Sequence, residues 1–512
     1  MIRLLILATT AALTLALTSS ASAAPPVPKL DWQPCEPAGL ECATAKVPRD
    51  HARPDGRKLE LAMIRWPASD RKNRIGSLFL NPGGPGGSGV DLLREAPPPA
   101  RAAFGRVYDL IGFDPRGVGA SRPAVQNCGV RFQGDRYLTP ETVDGNVVVR
   151  TAREQLRRCE AASGDVLSYL TTANVARDLD LLRAAVGDAK LHYLGISYGG
   201  LIGETYTTLF PGRTGAMVLD SPTDGEVWLD KPFEAIDEQL ASFERSLDRF
   251  LHWCSRREAS CPLDPEDPQD DLDGLVAQLN AAPVPVLSDP TQPPVNGDEL
   301  MSVVLEALYS RLYREPLAAA TAAARQGDGS ALRNFFGTPD EDAPPPTGAF
   351  FAYMANEGNY RGGADRFLRQ KEHTFGLSER FGWARGYEWV GLTLWPFEPR
   401  GVYRGPFRHA SGAQPALVIG GTHDPATPYR WAKRLVADLG NARLLTYRSD
   451  GHGAITDLNP CVVGATLAYL EAAVLPEKGA SCRQQAPEQA ALRSAPVEDR
   501  LAWKRTTLPQ WR

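Results

Sequence analysis

The sequence predicts an α/β fold built on a mostly parallel, doubly wound sheet. Short apolar runs recur along the chain, and each ends in a turn rich in glycine or acidic residues. Such runs are typical of parallel strands that are buried on both faces. Helical patterns lie between several of the runs, and this alternation favours helices on both faces of the sheet. A long, mainly helical stretch between Asp220 and Pro415 predicts an insertion.

The apolar runs define the expected strands and the expected edge for a functional site. The predicted strands cover residues 77–80, 107–113, 191–194, 216–219, 416–419 and 444–447. A helical pattern covers residues 171–186, and a second helix at 201–210 ends before Pro211. In sheets of this type functional groups lie at the carboxyl ends of the strands. We therefore expect the site in the turns that follow these runs.

The inserted stretch divides the chain into segments. Helical patterns cover residues 233–253, 272–279, 298–313 and 316–325. We predict that residues 226–405 form a helical cap, that residues 24–225 and 406–485 form the core, and that residues 486–512 form a polar tail. A chain of 512 residues is longer than one compact core usually is, which agrees with this division.

The first 23 residues have the pattern of a secretory signal peptide. Arg3 precedes an apolar segment at residues 4–17, and small residues at 21–23 fit a cleavage site. The segment is shorter than the roughly 20 residues that span a bilayer, and no later segment has the pattern of a span. We predict a secreted, extracellular mature chain that starts at Ala24.

The cysteine content agrees with export. The chain has eight cysteines, and an even number in an exported protein favours disulfides. We predict that each cysteine pairs with its nearest neighbour in sequence, so that the pairs are 35–42, 128–159, 254–261 and 461–482. A zinc site is not expected, because no pair has C-x-x-C spacing and no histidine lies at ligand spacing.

The motif G-I-S-Y-G at residues 195–199 predicts a nucleophilic serine. The motif fits G-x-S-x-G, follows a predicted strand and opens a predicted helix, which is the context of a nucleophile elbow. The hydroxyl of Ser197 needs a base to take its proton. Our candidate is His452, in the segment D-G-H-G that follows the last predicted strand, and His423 is the alternative.

A base of this kind needs a carboxylate that orients it and stabilises its charged form. Asp424 follows the predicted strand at 416–419, and Asp220 follows the strand at 216–219. We favour Asp424, with Asp220 as the alternative. The order Ser197, Asp424, His452 along the chain is that of the α/β-hydrolase fold, which is the fold we predict.

An oxyanion in such a site needs backbone N–H donors. One donor is expected from Tyr198, the residue after the nucleophile. We expect the second from Gly84, in the glycine-rich loop at residues 81–89, since glycine lets an amide face an anion without a Cβ in the way. The loop lacks the spacing of nucleotide-binding loops. This chemistry needs no metal and no organic cofactor.

Several motifs together resemble the secreted tripeptidyl aminopeptidases of actinobacteria, which are related to the proline iminopeptidases. The matching segments are N-P-G-G-P-G-G-S-G at 81–89, G-F-D-P-R-G-V-G-A-S at 112–121, G-I-S-Y-G-G at 195–200, D-P-A-T-P at 424–428 and G-H-G at 451–453. Cys254 and the C-P-L segment at 261–263 also look like the family's cap. The resemblance covers most of the mature chain.

The resemblance implies hydrolysis at free peptide N-termini, which requires recognition of an α-ammonium group. Relatives use acidic residues of the cap for this purpose. Glu357 lies in a segment that is similar to one in the family, although Ala355 stands where the family often has cysteine. Glu204, about two turns beyond Ser197 on the predicted helix, is the second candidate.

The predicted function is therefore that of a serine exopeptidase that releases short peptides, tripeptides first among them, or single residues from free N-termini. A carboxylic-ester hydrolase or lipase with the same triad is the alternative, because the fold hosts both chemistries. The predicted partner is a peptide substrate. A net charge of −5 without a Lys/Arg run indicates neither nucleic acid nor a membrane surface as a partner. We expect a monomer.

Overall fold

The computed structural model describes residues 25–125, 128, 145–256, 261–335, 348–360, 362–378, 380–382, 390–485 and 502–506. The predicted signal peptide and most of the predicted tail lie outside these residues. The strands are β1 (Gln33–Cys35), β2 (Leu40–Pro48), β3 (Lys58–Trp66), β4 (Gly76–Asn81), β5 (Tyr108–Phe113), β6 (Leu191–Ile196), β7 (Thr214–Asp220), β8 (Ala416–His423), β9 (Ala442–Asp450) and β10 (Ser481–Arg483). Every strand predicted from an apolar run is present.

The helices fall between and after these strands. They are α1 (Gly89–Arg94), α2 (Pro98–Phe104), α3 (Gly145–Leu167), α4 (Thr172–Ala185), α5 (Tyr198–Leu209), α6 (Gly225–Asp230), α7 (Pro232–Cys254), α8 (Pro268–Ala281), α9 (Gly297–Ala307), α10 (Arg314–Arg325), α11 (Ser330–Arg333), α12 (Ala349–Glu357), α13 (Gly363–Leu377), α14 (Val390–Thr393), α15 (Tyr429–Leu439) and α16 (Pro460–Ala472). Residues 502–505 add a short helical turn near the C-terminus.

The strands form one ten-stranded sheet in the order β1-β2-β3-β5-β4-β6-β7-β8-β9-β10. Pairing is antiparallel from β1 to β5 and parallel from β5 to β10. The prediction of a mostly parallel sheet is confirmed. The carboxyl ends of β4, β6, β7, β8 and β9 meet at one edge, as the sequence pattern required.

Both faces of the sheet are covered, which explains the continuous apolar runs. On β4, Phe79 points into one buried cluster, whereas Leu78 and Leu80 point into another. The cluster around Phe79 includes apolar residues of α4, α5 and the helices after β7, and the opposite cluster includes residues of α1, α2 and α16. A strand with buried side chains on alternate faces cannot show an apolar/polar alternation.

The stretch between β7 and β8 is helical from α6 to α14, within the described residues. It differs from prediction at 298–313, where one helix was expected. Helix α9 instead ends at Ala307, and a 3-10 turn follows at Arg311–Tyr313. Ser310 between them is extended and pairs with Gly451 of the core, so a contact between distant segments overrides the local helical pattern. The domain boundaries themselves stay predictions.

All four predicted disulfides are present. They join Cys35 to Cys42, Cys128 to Cys159, Cys254 to Cys261, and Cys461 to Cys482. Disulfides of this number are consistent with an exported protein. Among the helices of the described residues, none is both long enough and apolar enough to cross a bilayer.

Candidate active site

Ser197 occupies the sharp turn that joins β6 to α5. Its backbone has φ 60° and ψ −124°, a conformation that is strained for a residue with a Cβ. The turn is held in place because the Ser197 amide donates to the Asp220 carbonyl at 2.9 Å, and the Ser197 carbonyl accepts from Thr223 at 3.1 Å. The side chain is half-buried and makes no hydrogen bond within the described part of the chain. The hydroxyl is therefore not engaged by any other group of the described residues.

The glycine-rich loop after β4 lies directly against this turn. Gly83 has φ +97°, and a Cβ there would lie 2.8 Å from the Ser197 Cβ and 3.0 Å from the Tyr198 nitrogen. Only glycine permits both the backbone conformation and the approach. The amide of Gly83 donates to Asn81 Oδ1 at 2.9 Å, which fixes the start of the loop.

Two amides in this region have no acceptor among the described residues. Tyr198 is the first residue of α5, so its N–H has no intrahelical partner. The N–H of Gly84 likewise donates to no described group. The structure thus places the two predicted oxyanion donors on adjoining segments.

A buried carboxylate holds the far side of the glycine-rich loop. Asp114, at the turn after β5, accepts from Ser88 Oγ at 2.6 Å and from the Val90 amide at 3.2 Å. Burial raises the pKa of Asp114 to about 6, and the bond from Ser88 partly opposes this rise. Asp114 therefore links the β5 turn to the start of α1.

His452 and Asp424 form a buried pair at the same edge of the sheet. The imidazole Nδ1 lies 2.9 Å from Oδ2 and 3.0 Å from Oδ1 of Asp424. Both side chains are almost completely buried. A carboxylate can only accept, so Nδ1 carries the proton and Nε2 presents a lone pair. Nε2 is buried and has no hydrogen-bond partner among the described residues, Ser197 included.

Thr427 contacts both residues of this pair, and the sequence analysis did not identify it. Its hydroxyl lies 3.1 Å from Asp424 Oδ2 and 3.2 Å from His452 Nδ1. Its amide also donates to Asp424 Oδ1 at 2.9 Å, next to that of Ala426 at 3.0 Å. The only available signal was the position of Thr427 three residues after Asp424. An aspartate at the start of such a turn commonly accepts from the backbone amides that follow it.

The loop that carries His452 is anchored to the strand beside Ser197. Asp220 accepts from the amides of Ala454 at 3.0 Å and Ile455 at 2.9 Å, and Ser221 Oγ accepts from Gly453 at 3.1 Å. Gly453 in turn approaches Ile196, because a Cβ on it would lie 3.4 Å from Ile196 Cγ2. These contacts bring the His452 loop to the turn that carries Ser197.

Asp220 and His423, the alternatives left open by the sequence, do not take part in the buried pair. Asp220 binds loop amides rather than the imidazole, and burial raises its pKa to about 6, with the Ile455 and Ala454 amides opposing the rise. His423 is exposed, with its Nδ1 3.2 Å from the Ser449 carbonyl and 3.4 Å from Asp450 Oδ1. The carboxylate that contacts His452 is that of Asp424.

Residues of the insertion between β7 and β8 contact Asp424, Ala426 and His452. The Tyr309 carbonyl accepts from the His452 amide at 2.8 Å, and the Tyr309 ring meets the imidazole edge-to-face at 5.4 Å. Ser242 Oγ donates to the Asp424 carbonyl at 2.8 Å, and Gln239 Nε2 donates to the Ala426 carbonyl at 2.6 Å. The insertion therefore helps to fix both partners of the buried pair.

Glu357 lies at the end of α12, beside the turn that carries Ser197. Its Oε1 accepts from the Thr172 amide at 2.6 Å, and its Oε2 accepts from Thr172 Oγ1 at 2.7 Å and from the Tyr198 hydroxyl at 3.4 Å. The first residues of α12 contact Gly86 of the glycine-rich loop. Burial raises the pKa of Glu357 to about 7, although the bonds from Thr172 oppose the rise.

Glu204 is in a different environment. Its Oε1 packs against Gly225 and makes no hydrogen bond within the described chain, and Phe407 covers the same point. Burial raises the pKa of Glu204 well above its usual value, and the neighbouring carboxylates of Asp224 and Asp438 raise it further. The structure brings Glu357, and not Glu204, into contact with Tyr198.

Comparison with known proteins identifies the family to which this fold belongs. A family model described as alpha/beta hydrolase fold matches residues 76–260, and one described as TAP-like protein matches residues 385–482. Serine protease Hip1 of Mycobacterium tuberculosis is 32% identical over 495 residues, which cover 88% of this chain and 91% of the relative.

Two further relatives are named for a peptidase and for an esterase. Tripeptidyl aminopeptidase of Streptomyces lividans is 31% identical over 478 residues, covering 86% of this chain and 84% of the relative. Carboxylesterase B of Mycobacterium tuberculosis is 32% identical over 496 residues, covering 89% and 90%. The resemblance found in the sequence motifs is confirmed, and the chain belongs to the α/β-hydrolase serine peptidase family that includes tripeptidyl aminopeptidase.

Proposed function

We propose that this protein is a serine exopeptidase that removes short peptides, tripeptides above all, from free N-termini. The observation that carries the proposal is the buried Asp424–His452 pair. His452 Nε2 has no hydrogen-bond partner among the described residues, and the loop that carries His452 is anchored beside Ser197. Relatives named serine protease and tripeptidyl aminopeptidase support peptides as the substrate class.

In the proposed reaction, Ser197 Oγ attacks the scissile carbonyl carbon while His452 Nε2 takes the hydroxyl proton. The amides of Tyr198 and Gly84 donate to the oxyanion that develops. The C–N bond then breaks, and His452 gives its proton to the leaving amine. Water, deprotonated by the same nitrogen, hydrolyses the acyl-enzyme and releases the peptide acid.

Asp424 serves in this scheme by accepting from Nδ1 and by stabilising the imidazolium. Ser197 and His452 are not hydrogen-bonded to each other in the structure, and bonds of this kind often tighten only when substrate is bound. A movement that brings the Ser197 hydroxyl to Nε2 is therefore part of the proposed reaction.

Glu357 is our proposed partner for the substrate α-ammonium group. Thr172 and Tyr198 donate to both oxygens of its carboxylate, and each carboxylate oxygen can accept more than one hydrogen bond. The position of Glu357 on an inserted helix, against the residue that follows Ser197, favours it over Glu204.

The proposal is tested with peptide p-nitroanilides that differ only in an N-terminal acetyl group. We expect tripeptide substrates with a free amine to be cleaved with at least a hundredfold higher kcat/KM than their acetylated forms, because a buried carboxylate loses its partner when the amine is blocked. The Ser197→Ala variant should lose activity on all of them. Equal rates on free and acetylated substrates would contradict the exopeptidase assignment.

An esterase that uses the same residues is the second candidate, because one relative is named carboxylesterase B. Acyl esters assayed beside the peptides distinguish the two, and activity on esters alone would favour this second function. We also propose that the protein acts outside the cell, which the four disulfides support. N-terminal sequencing of protein recovered from culture medium tests this and the predicted start at Ala24.

A further inference from the structure

The C-terminal segment 502–506 packs against the core next to the His452 loop. Trp503 is buried in the same apolar cluster as Leu93 and Ile455, and its Nε1 donates to the Leu92 carbonyl at 3.0 Å. Thr506 closes the turn by donating from its backbone and its hydroxyl to the Trp503 carbonyl. Trp503 thus anchors the segment, which leaves its neighbour Lys504 facing the loop.

Lys504 is as deeply buried as His452, with 1% of its surface exposed. Its Nζ donates to the Gly453 carbonyl at 2.8 Å, to Thr456 Oγ1 at 2.8 Å and to Asp457 Oδ1 at 2.9 Å. A buried ammonium is costly unless its protons are all used, and here three acceptors surround it. All three acceptors belong to the five residues that follow His452.

The contacts of Lys504 complement those of the core. Asp220 and Ser221 take up the N–H groups of the loop, from Gly453 to Ile455. Lys504 donates to the carbonyl of Gly453. Gly453 has no side chain, so its backbone hydrogen bonds fix its position, and its carbonyl also accepts from Thr456 Oγ1 at 3.0 Å. The residue next to His452 is consequently held through its N–H by Ser221 and through its carbonyl by Thr456 and Lys504.

We propose that Lys504 is a positioning residue for His452, through which the C-terminal segment sets the orientation of Nε2 toward Ser197. This inference rests on the proposed hydrolase reaction. A misplacement of about 1 Å in such a group can cost on the order of a hundredfold in rate. The alternative is that Lys504 stabilises the fold without affecting the reaction.

The test compares Lys504→Met with Arg505→Met. Both variants remove one positive charge from adjacent residues and keep a long side chain, but Arg505 makes no hydrogen bond to the His452 loop within the described chain. Active sites are counted by exhaustive labelling with a fluorophosphonate, and kcat and KM are measured per labelled site. Melting temperatures are recorded for each variant.

We expect Lys504→Met to lower kcat per site by about ten- to a hundredfold with little change in KM, since positioning acts on the reacting groups. Arg505→Met should match the wild type. If Lys504→Met does not fold, Lys504→Gln replaces it, because its polar but neutral amide ends short of the Nζ position and cannot reach the three acceptors together, and the same loss of kcat is expected. Lys504→Arg, which restores the cation, should recover part of the loss.

A wild-type kcat per site in folded Lys504→Met or Lys504→Gln, even with a lower melting temperature, would overturn the inference. Failure of the proposed function is recognised separately. In that case the wild-type protein itself would take up no fluorophosphonate at Ser197.

Discussion

Replacing Glu357 by glutamine tests substrate recognition with little disturbance of the structure. The amide keeps an oxygen for the Thr172 N–H, and its NH2 group can donate to the hydroxyls of Thr172 and Tyr198, which now donate to the carboxylate. Glutamine also has the volume of glutamate. The main change is the loss of a titratable charge.

The pKa of Glu357 sets the pH range in which its charge can contribute to substrate binding. Burial raises the pKa of Glu357 to about 7 from its usual value of 4.5. The folded protein therefore binds this proton more tightly than the unfolded chain, and its free energy of unfolding falls by about 3 kcal/mol as pH rises from about 4.5 to about 7. A peptide α-amino group titrates near pH 8, so both partners are charged mainly between about pH 7 and 8.

The assay is the ratio of kcat/KM for a free-amine tripeptide substrate to that for its acetylated form. In the wild-type protein this ratio should fall about tenfold for each pH unit below 7, because the carboxylate is lost. In Glu357→Gln it should be lower by a hundredfold or more at pH 7.5 and independent of pH. Effects on the reacting groups themselves cancel in the ratio.

Glu204→Gln is the matched control, because Glu204 is also buried but packs against Gly225 rather than against Tyr198. It should leave the ratio unchanged at every pH. A wild-type ratio in Glu357→Gln, or a collapsed ratio in Glu204→Gln, would refute the assignment of Glu357.

Other contacts in the site give predictions of their own. Asp424→Asn should lower kcat roughly 10⁴-fold in steady-state assays, because asparagine does not hold the required tautomer of His452. Thr427→Val should cost about five- to tenfold in kcat, the value of one hydrogen bond, whereas Thr427→Ser should not; equal values for the two would exclude a role for the hydroxyl. Gly83→Ala should lower kcat at least a hundredfold, since its Cβ would meet Ser197. Gly187→Ala, with a similar positive φ but open space, should cost only about 1–2 kcal/mol of stability by thermal unfolding. Equal kcat losses in the two alanine variants would count against the loop contact.

The features that sequence predicted well depend on local chemistry. The turn at Ser197 combines a strand end, a helix start and flanking glycines within five residues, so its conformation could be inferred without the rest of the chain. The same holds for the buried strands, whose apolar runs reflect burial on both faces. The nearest-neighbour disulfides join segments that are close in sequence.

Features that depend on contacts between distant segments could not be predicted in this way. Helix α9 ends early because Ser310 pairs with Gly451, which lies more than a hundred residues away. The contacts of Lys504 with the His452 loop have no local signature either. Helical spacing placed Glu204 two turns beyond Ser197, but it could not show that Gly225 and Phe407 cover that position.

The central claim is that Ser197 is the nucleophile, activated by His452. Mass spectrometry of the peptide that carries a fluorophosphonate adduct tests this most directly. We predict a single adduct on Ser197 in the wild-type protein, no adduct in Ser197→Ala, and greatly slowed labelling in His452→Ala. An adduct on another residue, or full peptidase activity in Ser197→Ala, would contradict the account.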